Sequence, residues 1–351
     1  MIDYVSKIDN ILKNLKINGK CVNVSMHRHL VFCDLVLTCG VRVRKLESHV
    51  REIGLALHAK STPIVHLNSE KGIVSLQFAV RNADTLPLID LFNFHKNSIP
   101  NGILPFLFGE NGNGEPLWVD MAKNPHMLIA GGTGSGKSTL LHTIIANITF
   151  RNDINLYLSD PKSGVEFSIY EKYGFCNYLA TDYDSTLNML QHIYEEMERR
   201  YEALRIFNIS SIEQNNNIFT KILVIIDEVA DLILQDQDRY NSNKGKFEHL
   251  LCSIAQKSRA AGIFMILATQ RPSVDIISGR IKANFPARVA CKVSSSIDSK
   301  VILDQVGAES LLGRGDAIIN TINYNFSRFQ VAYIEAIEAS DVIRNSVKNI
   351  A

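Results

Sequence analysis

A glycine-rich loop between an apolar segment and an amphipathic one is the feature that most limits how this chain folds. Residues 131–138 read Gly-Gly-Thr-Gly-Ser-Gly-Lys-Ser, which fits the pattern G-x-x-x-x-G-K-[ST]. The apolar segment 127–130 precedes the loop, and residues 139–147 follow it with apolar side chains at helical spacing. This order predicts a strand, a phosphate-binding loop and a helix, the opening unit of an α/β fold.

The composition of the loop predicts that it holds a nucleoside triphosphate. Its glycines allow several backbone N–H groups to converge on one anion, and the helix N-terminus adds a partial positive charge. Lys137 would reach the β- and γ-phosphates, and the Ser138 hydroxyl would hold Mg²⁺. The expected nucleotide-binding residues are Gly131, Gly132, Thr133, Gly134, Ser135, Gly136, Lys137, Ser138 and Thr139.

A second motif indicates that the triphosphate is hydrolysed. Residues 221–228 form an apolar run that ends in two carboxylates, Asp227 and Glu228. The run predicts a buried parallel strand with its acids at the carboxyl end, where ligands of open α/β sheets bind. Asp227 would hold Mg²⁺ through water, and Glu228 would polarise the attacking water as general base. A strand followed by a helix-capping acid is the alternative, but the phosphate loop upstream favours hydrolysis.

The distribution of elements predicts two domains, 1–100 and 101–351. The first domain is predicted to be a small α+β unit, and the second alternates strands and helices, which predicts a parallel sheet covered by helices on both faces. The predicted strands of the second domain are 127–130, 154–158, 222–226 and 263–268, and its predicted helices are 137–149, 185–206 and 245–260. A helix is predicted at 45–58, a connection or hairpin at 97–115, and surface loops at 215–217 and 235–246.

Composition and charge exclude several other classes of protein. Apolar residues make up 46% of the chain, but no apolar run approaches the ~18 residues that span a bilayer. The charged N-terminus does not fit a signal peptide, and the six cysteines lack metal-type spacing, so we expect a reducing, cytoplasmic location. The net charge is +1, so any contact with nucleic acid must come from a local basic surface.

Further motifs follow one another along the chain. They are Asp-Pro-Lys at 160–162, Glu-Glu-Met-Glu-Arg-Arg-Tyr at 195–201, Leu-Ala-Thr-Gln-Arg-Pro-Ser-Val at 267–274, Ile-Lys-Ala-Asn-Phe-Pro-Ala-Arg at 281–288 and the stretch 302–313. In this order they resemble the motor of FtsK/SpoIIIE-type DNA translocases. The resemblance implies a RecA-like P-loop NTPase core behind a small α+β subdomain, ATP and Mg²⁺ as cofactors, double-stranded DNA as the track, and a homo-oligomeric, hexameric ring.

The resemblance also implies roles for individual residues. Gln270 resembles a polar sensor that contacts the γ-phosphate or the attacking water, with a plain turn residue as the alternative. Arg288 resembles an arginine finger that a neighbouring subunit inserts, because a guanidinium suits the charge of a phosphoryl-transfer transition state. The alternative for Arg288 is a surface salt bridge, and the rival fingers are Arg259 and Arg271. We expect Asp160 and Lys162 to be structural or interface residues.

Contacts with DNA are expected from basic residues in loops that resemble the family's pore loops. The candidates are Arg280, Lys282, Lys300 and Arg314. Each of them alone is also compatible with an ordinary solvated charge. Contacts to phosphates without base reading predict sequence-independent binding that weakens steeply with salt.

Two other functions compete with a DNA translocase. One is an ATPase that recruits or moves proteins, although such relatives usually carry tandem motor domains and membrane segments. The other is a nucleotide-binding scaffold without turnover, against which the intact Lys137, Asp227, Glu228 and Gln270 argue. The chain shows no membrane-spanning N-terminal region and no room for a C-terminal winged-helix module, so we expect it to depart from the division-associated members in targeting and directionality.

Overall fold

The chain forms two β-sheets of different size. The computed structural model describes residues 3–68, 72–148, 151, 153–215, 218–240 and 245–335. Among the described residues, a four-stranded sheet lies in the N-terminal part, and the following residues form a ten-stranded sheet with helices on its faces. The α/β class predicted from the sequence is confirmed, whereas the division into domains at residue 100 stays a prediction. No helix within the described ranges is long and apolar enough to cross a membrane.

The N-terminal sheet is antiparallel. Its elements, in chain order, are α1 (Tyr4–Asn14), β1 (Gly19–His27), β2 (Leu30–Leu37), α2 (Val43–Glu47), α3 (Val50–Ala56), β3 (Ile64–Asn68) and β4 (Ile73–Ala79), and the strand order is β1-β2-β4-β3. The single helix predicted at 45–58 is wrong, because two helices meet there. Ser48 Oγ (2.9 Å) and His49 Nδ1 (2.8 Å) both lie within hydrogen-bond distance of the Lys45 carbonyl oxygen, and such local side-chain bonds compete with helix continuation.

The larger sheet has a parallel core. Its elements are α4 (Leu88–His95), β5 (Pro105–Asn111), β6 (Pro116–Asp120), β7 (His126–Ala130), α5 (Lys137–Ile148), β8 (Ile154–Ser159), α6 (Ser168–Lys172), β9 (Tyr178–Ala180), α7 (Tyr183–Ile206), β10 (Lys221–Ile226), α8 (Val229–Tyr240), α9 (Lys246–Lys257), β11 (Ile263–Thr269), α10 (Gly279–Asn284), β12 (Ala287–Cys291), α11 (Ser296–Leu303), β13 (Asp316–Asn320) and β14 (Ser327–Val331). The six parallel strands run in the order β12-β7-β11-β10-β8-β9.

Strand β7 illustrates why this sheet needs helices on both faces. Met127 and Ile129 pack in one apolar cluster with the α5 residues, while Leu128 and Ala130 pack in another with residues of α7 to α9. All residues of β7, β10 and β11 are buried, as expected for strands that read as continuous apolar runs.

Two features of this part of the chain depart from the sequence prediction. The sheet is mixed, because β13, β14, β5 and β6 add antiparallel strands beside β12. The hairpin, one of the two alternatives predicted for residues 97–115, is confirmed by the pairing of β5 with β6. The loop predicted at 235–246 is wrong up to residue 240, which is the end of α8. This polar stretch carries a buried acid, Asp236, which accepts hydrogen bonds from Tyr183 Oη (2.6 Å) and from the Phe247 N–H (3.1 Å). Residues 216–217 and 241–244 lie outside the described residues.

Candidate nucleotide-binding site

The phosphate loop lies at the carboxyl end of the parallel strands and joins β7 to α5. The ends of both neighbouring strands hold it: the Gly131 N–H donates to the Thr269 carbonyl (3.2 Å), and the Gly132 N–H donates to the Lys292 carbonyl (2.9 Å). Gly136 adopts a φ of 102°, a region that L side chains rarely enter, immediately before the first turn of α5. The local sequence therefore produces the predicted strand, loop and helix.

A cavity of about 520 Å³ opens beside this loop. Its volume falls within the range of roughly 300–1,000 Å³ that is usual for small-ligand sites. Seven of the nine predicted nucleotide-binding residues line it: Gly132, Thr133, Gly134, Gly136, Lys137, Ser138 and Thr139. The other two, Gly131 and Ser135, are buried in the body of the loop. The cavity is also lined by residues 83–86 and by Gln330, Val331 and Tyr333, which the sequence did not suggest.

Lys137 and Asp227 form a buried ion pair on the floor of the site. The Lys137 ammonium lies 2.5 Å from Asp227 Oδ1 and 3.0 Å from the Asp227 carbonyl oxygen. The two side chains are only 3% and 6% exposed, so each charge depends on the other for compensation. The phosphates of a bound nucleotide would compete with Asp227 for this ammonium.

Glu228 is held in a fixed orientation by three groups. Its carboxylate accepts hydrogen bonds from Thr269 Oγ1 (2.6 Å) and from the Gln270 N–H (3.0 Å), and Lys162 Nζ lies 3.6 Å away. The Gln270 side chain in turn accepts a hydrogen bond from Thr133 Oγ1 (3.1 Å), which links Glu228 to the phosphate loop. Lys162, which we expected to be a structural or interface residue, therefore lies at the carboxylate expected to act as general base.

The residues near Ser138 fit a magnesium ion. Ser138 and Asp227 supply oxygen donors, the ligands that Mg²⁺ prefers. Glu166, a residue that the sequence did not suggest, lies beside them. A hydrogen bond with His142 (3.0 Å) lowers the pKa of Glu166, and the Ser138 side chain and the Lys137 charge lower it further. Within the described ranges, no group of three His, Cys, Asp or Glu side chains could bind a metal alone, so Mg²⁺ would share its ligands with phosphates and water.

Arg288 does not reach this cavity within its own chain. Its guanidinium is paired with Asp304, and the side chain is only 12% exposed. Asp304 also lies 2.5 Å from Lys282 Nζ; burial raises the pKa of Asp304, but the hydrogen bonds from Lys282 and Arg288 outweigh this effect and lower it. The single chain thus shows the salt bridge that was the alternative for Arg288, and its role as a finger stays a prediction. Of the rivals, Arg259 pairs with Glu213 (2.9 Å) and Arg271 is exposed.

The four basic residues expected to contact DNA differ in their surroundings. Arg280 in α10 and Lys300 in α11 are exposed, and Lys282 shares the Asp304 carboxylate with Arg288. Arg314 lines the nucleotide cavity instead, because the turn that carries it packs directly on the phosphate loop. Arg314 therefore has the surroundings of the nucleotide site, and its contact with DNA stays a prediction.

Comparisons with known proteins agree with the geometry of the site. The sequence profile of the FtsK/SpoIIIE family matches residues 88–221 and 213–274. The DNA translocase FtsK of Haemophilus influenzae is 34% identical over 354 residues, covering 91% of this chain and 65% of that protein. The DNA translocase FtsK of Pasteurella multocida is 34% identical over 356 residues, covering 91% of this chain and 37% of that protein. The chain thus spans less than two thirds of either relative.

A solved structure has the same fold. The pCW3 conjugation coupling protein TcpA, in its monomer form with ATPγS, superposes with a TM-score of 0.68 and covers the whole of both chains. The two sequences are 21% identical, so this likeness concerns the fold.

Proposed function

The chain belongs to the FtsK/SpoIIIE family, and on that premise we propose that it is a motor that couples ATP hydrolysis to movement along double-stranded DNA. The observation that carries this proposal is the meeting of Lys137, Asp227, Glu228 and Gln270 beside one cavity at the carboxyl edge of the parallel strands. The relatives named as DNA translocases, which match 91% of the chain, support DNA as the track.

Each residue of the site has a task in hydrolysis. Lys137 would bind the β- and γ-phosphates, and Ser138 and Asp227 would hold Mg²⁺, which would neutralise charge on the phosphates. Glu228 accepts a proton from the attacking water, and its bonds from Thr269 and Gln270 keep the carboxylate oriented. Gln270 connects the γ-phosphate region to Glu228, because it bonds Thr133 with its side chain and Glu228 with its backbone.

Assembly and DNA contact complete the proposed motor. Subunits form a ring, proposed to be hexameric, in which Arg288 of one subunit acts on the nucleotide of the next. Arg288 must exchange its contact with Asp304 for the phosphates of the neighbour. The exposed Arg280 and Lys300 contact DNA phosphates, which gives binding without sequence preference.

The rate of ATP hydrolysis with and without linear duplex DNA, at a fixed salt concentration, tests this proposal. Duplex DNA should raise the rate of the wild-type protein. Lys137→Ala should lose nucleotide binding, whereas Glu228→Gln should bind ATP and turn it over ~10²–10⁴-fold more slowly.

Three outcomes would contradict parts of the proposal. A rate that DNA leaves unchanged but a protein substrate raises would favour the protein-coupling function. Binding without turnover by the wild-type protein would indicate a scaffold. A Glu228→Gln protein that keeps more than about half of the wild-type rate would remove Glu228 from its role as general base.

A further inference from the structure

Arg314 is an exposed cation on the wall of the nucleotide cavity. It lines that cavity together with Thr133, Lys137 and Gln270. Among the residues that the structure describes, no carboxylate lies within salt-bridge distance of its guanidinium. We propose that Arg314 binds the phosphates of the nucleotide held by its own subunit. This inference rests on the proposed function and adds to it a second phosphate-binding cation supplied in cis.

The position of Arg314 follows from a direct contact between two backbone segments. The Arg314 N–H donates to the Gly134 carbonyl (3.3 Å), and the Gly315 N–H donates to the Ser135 carbonyl (2.9 Å). A Cβ atom added to Gly136 would lie 2.3 Å from the Gly315 nitrogen, so no side chain fits between the turn and the phosphate loop. The Arg314 backbone is therefore in direct contact with the phosphate loop, and its side chain begins next to the backbone groups that would bind phosphate.

The turn is also held by side chains of β13 and β14. Asp316 accepts a hydrogen bond from the Leu312 N–H (2.8 Å) and two from Arg328 (2.9 and 2.7 Å), and this ion pair is completely buried. Gln330 donates a further hydrogen bond to the Arg314 carbonyl (3.0 Å). Because several bonds fix the backbone, Arg314 presents its guanidinium from a rigid support, as an efficient binding residue requires.

The charges at the site favour a second cation that binds phosphate. Mg²⁺ and the Lys137 ammonium would not neutralise a triphosphate completely, because Asp227 brings a negative charge to the same site, so further positive charge near the loop is favourable. A guanidinium presents a planar fork of donors that matches phosphate oxygens and remains charged at every relevant pH. Arg314 meets this need without help from a neighbouring subunit, in contrast to Arg288.

The substitution that tests this inference is Arg314→Gly. Arg314 has a φ of 52°, in the left-handed region, and glycine adopts that conformation without strain. The variant therefore removes the cation and keeps the turn. Lys16→Gly is the matched control, because Lys16 is also exposed and has a φ of 54°, but it lies next to α1, in the N-terminal part of the chain. Arg314→Lys keeps the charge and loses the fork.

Affinities for ATP, ADP and AMP are to be measured by competition with a fluorescent ATP analogue in the presence of Mg²⁺. Arg314→Gly should weaken ATP binding about 10–100-fold, the range for a lost charge-assisted hydrogen bond. In the same variant, the affinity for AMP should change less than the affinity for ATP. The ATP affinity of Arg314→Lys should lie between those of the wild type and Arg314→Gly, and Lys16→Gly should bind all three nucleotides like the wild type.

The possible failures are distinguishable. If the wild-type protein binds ATP and Arg314→Gly binds it equally well, the inference is wrong while the proposed function stands. If Arg314→Gly keeps its ATP affinity but binds duplex DNA with a salt dependence lower by ~0.9 in slope, Arg314 is a DNA contact instead. If the wild-type protein binds no ATP, the proposed function fails, and the inference fails with it.

Discussion

The buried pair between Asp316 and Arg328 allows a quantitative prediction about stability. Both side chains are 0% exposed and are joined by two hydrogen bonds. Arg328→Met would leave the Asp316 carboxylate buried without its cation, with the Leu312 N–H as a remaining donor. Removing one partner of a buried pair costs about 3–5 kcal/mol, which is a large part of the roughly 5–15 kcal/mol that stabilises a typical domain.

An exposed pair of similar length serves as the control. Arg205 lies 2.8 Å from Glu202, but the two side chains are 79% and 61% exposed. Arg205→Met should therefore change the free energy of unfolding by at most about 1 kcal/mol. Free energies of unfolding come from urea titrations followed by circular dichroism and extrapolated linearly to water.

A double substitution separates the pair from the packing of its side chains. Combining Arg328→Met with Asp316→Leu removes both charges, and such replacements are often close to neutral, so much of the lost stability should return. The reasoning would be refuted if Arg328→Met and Arg205→Met lowered the free energy of unfolding by the same amount. It would also be refuted if Asp316→Leu, added to Arg328→Met, lowered the free energy of unfolding further by about 3–5 kcal/mol.

Three other predictions concern turnover and DNA binding. Lys162→Met should lower kcat about 3–10-fold in steady-state assays without changing ATP affinity, because Lys162 contacts Glu228. Lys162→Arg should keep most of the wild-type rate, and a change in affinity alone would contradict this prediction. Arg288→Ala should bind ATP but lose ~10³–10⁵-fold in rate, and covalently linked dimers with Lys137→Ala should recover activity if the arginine acts between subunits. Arg280→Ala and Lys300→Ala should each lower the slope of log DNA affinity against log salt by ~0.9 and leave DNA-free turnover intact; binding like the wild type would remove them as contacts.

The parallel core was predictable because its signals are local. The strands that the sequence placed at 127–130, 154–158, 222–226 and 263–268 differ from β7, β8, β10 and β11 by one residue at most at each end. Apolar runs buried on both faces contain few polar residues, so their limits are sharp. The carboxyl ends of parallel strands meet at one edge, and this rule alone brings Lys137, Asp227, Glu228 and Gln270 together.

Features that depend on distant pairing could not be predicted in the same way. Strand β5 pairs with β14 although more than two hundred residues separate them along the chain, and no local pattern reports such a partner. The turn at Arg314 meets the phosphate loop because β13, which follows the turn, pairs with β12, and β12 pairs with β7. The sequence did not report this contact and grouped Arg314 with the other basic residues Arg280 and Lys300. The contact of Lys162 with Glu228 could not be predicted for a related reason, since it joins segments that follow two different strands.

The distance along the chain between residues that line the nucleotide cavity has a consequence during synthesis. The phosphate loop comprises residues 131–138, but Gln330, Val331 and Tyr333 also line the cavity. At ribosomal rates of about 5–20 residues per second, roughly 10–40 s pass between the two segments. During that interval the nucleotide cavity lacks these three lining residues, and the edge of the parallel core at β12 lacks β13 and β14. We therefore expect a nascent chain of this protein to gain less stability from ATP, and to expose that edge, until the last strand pairs.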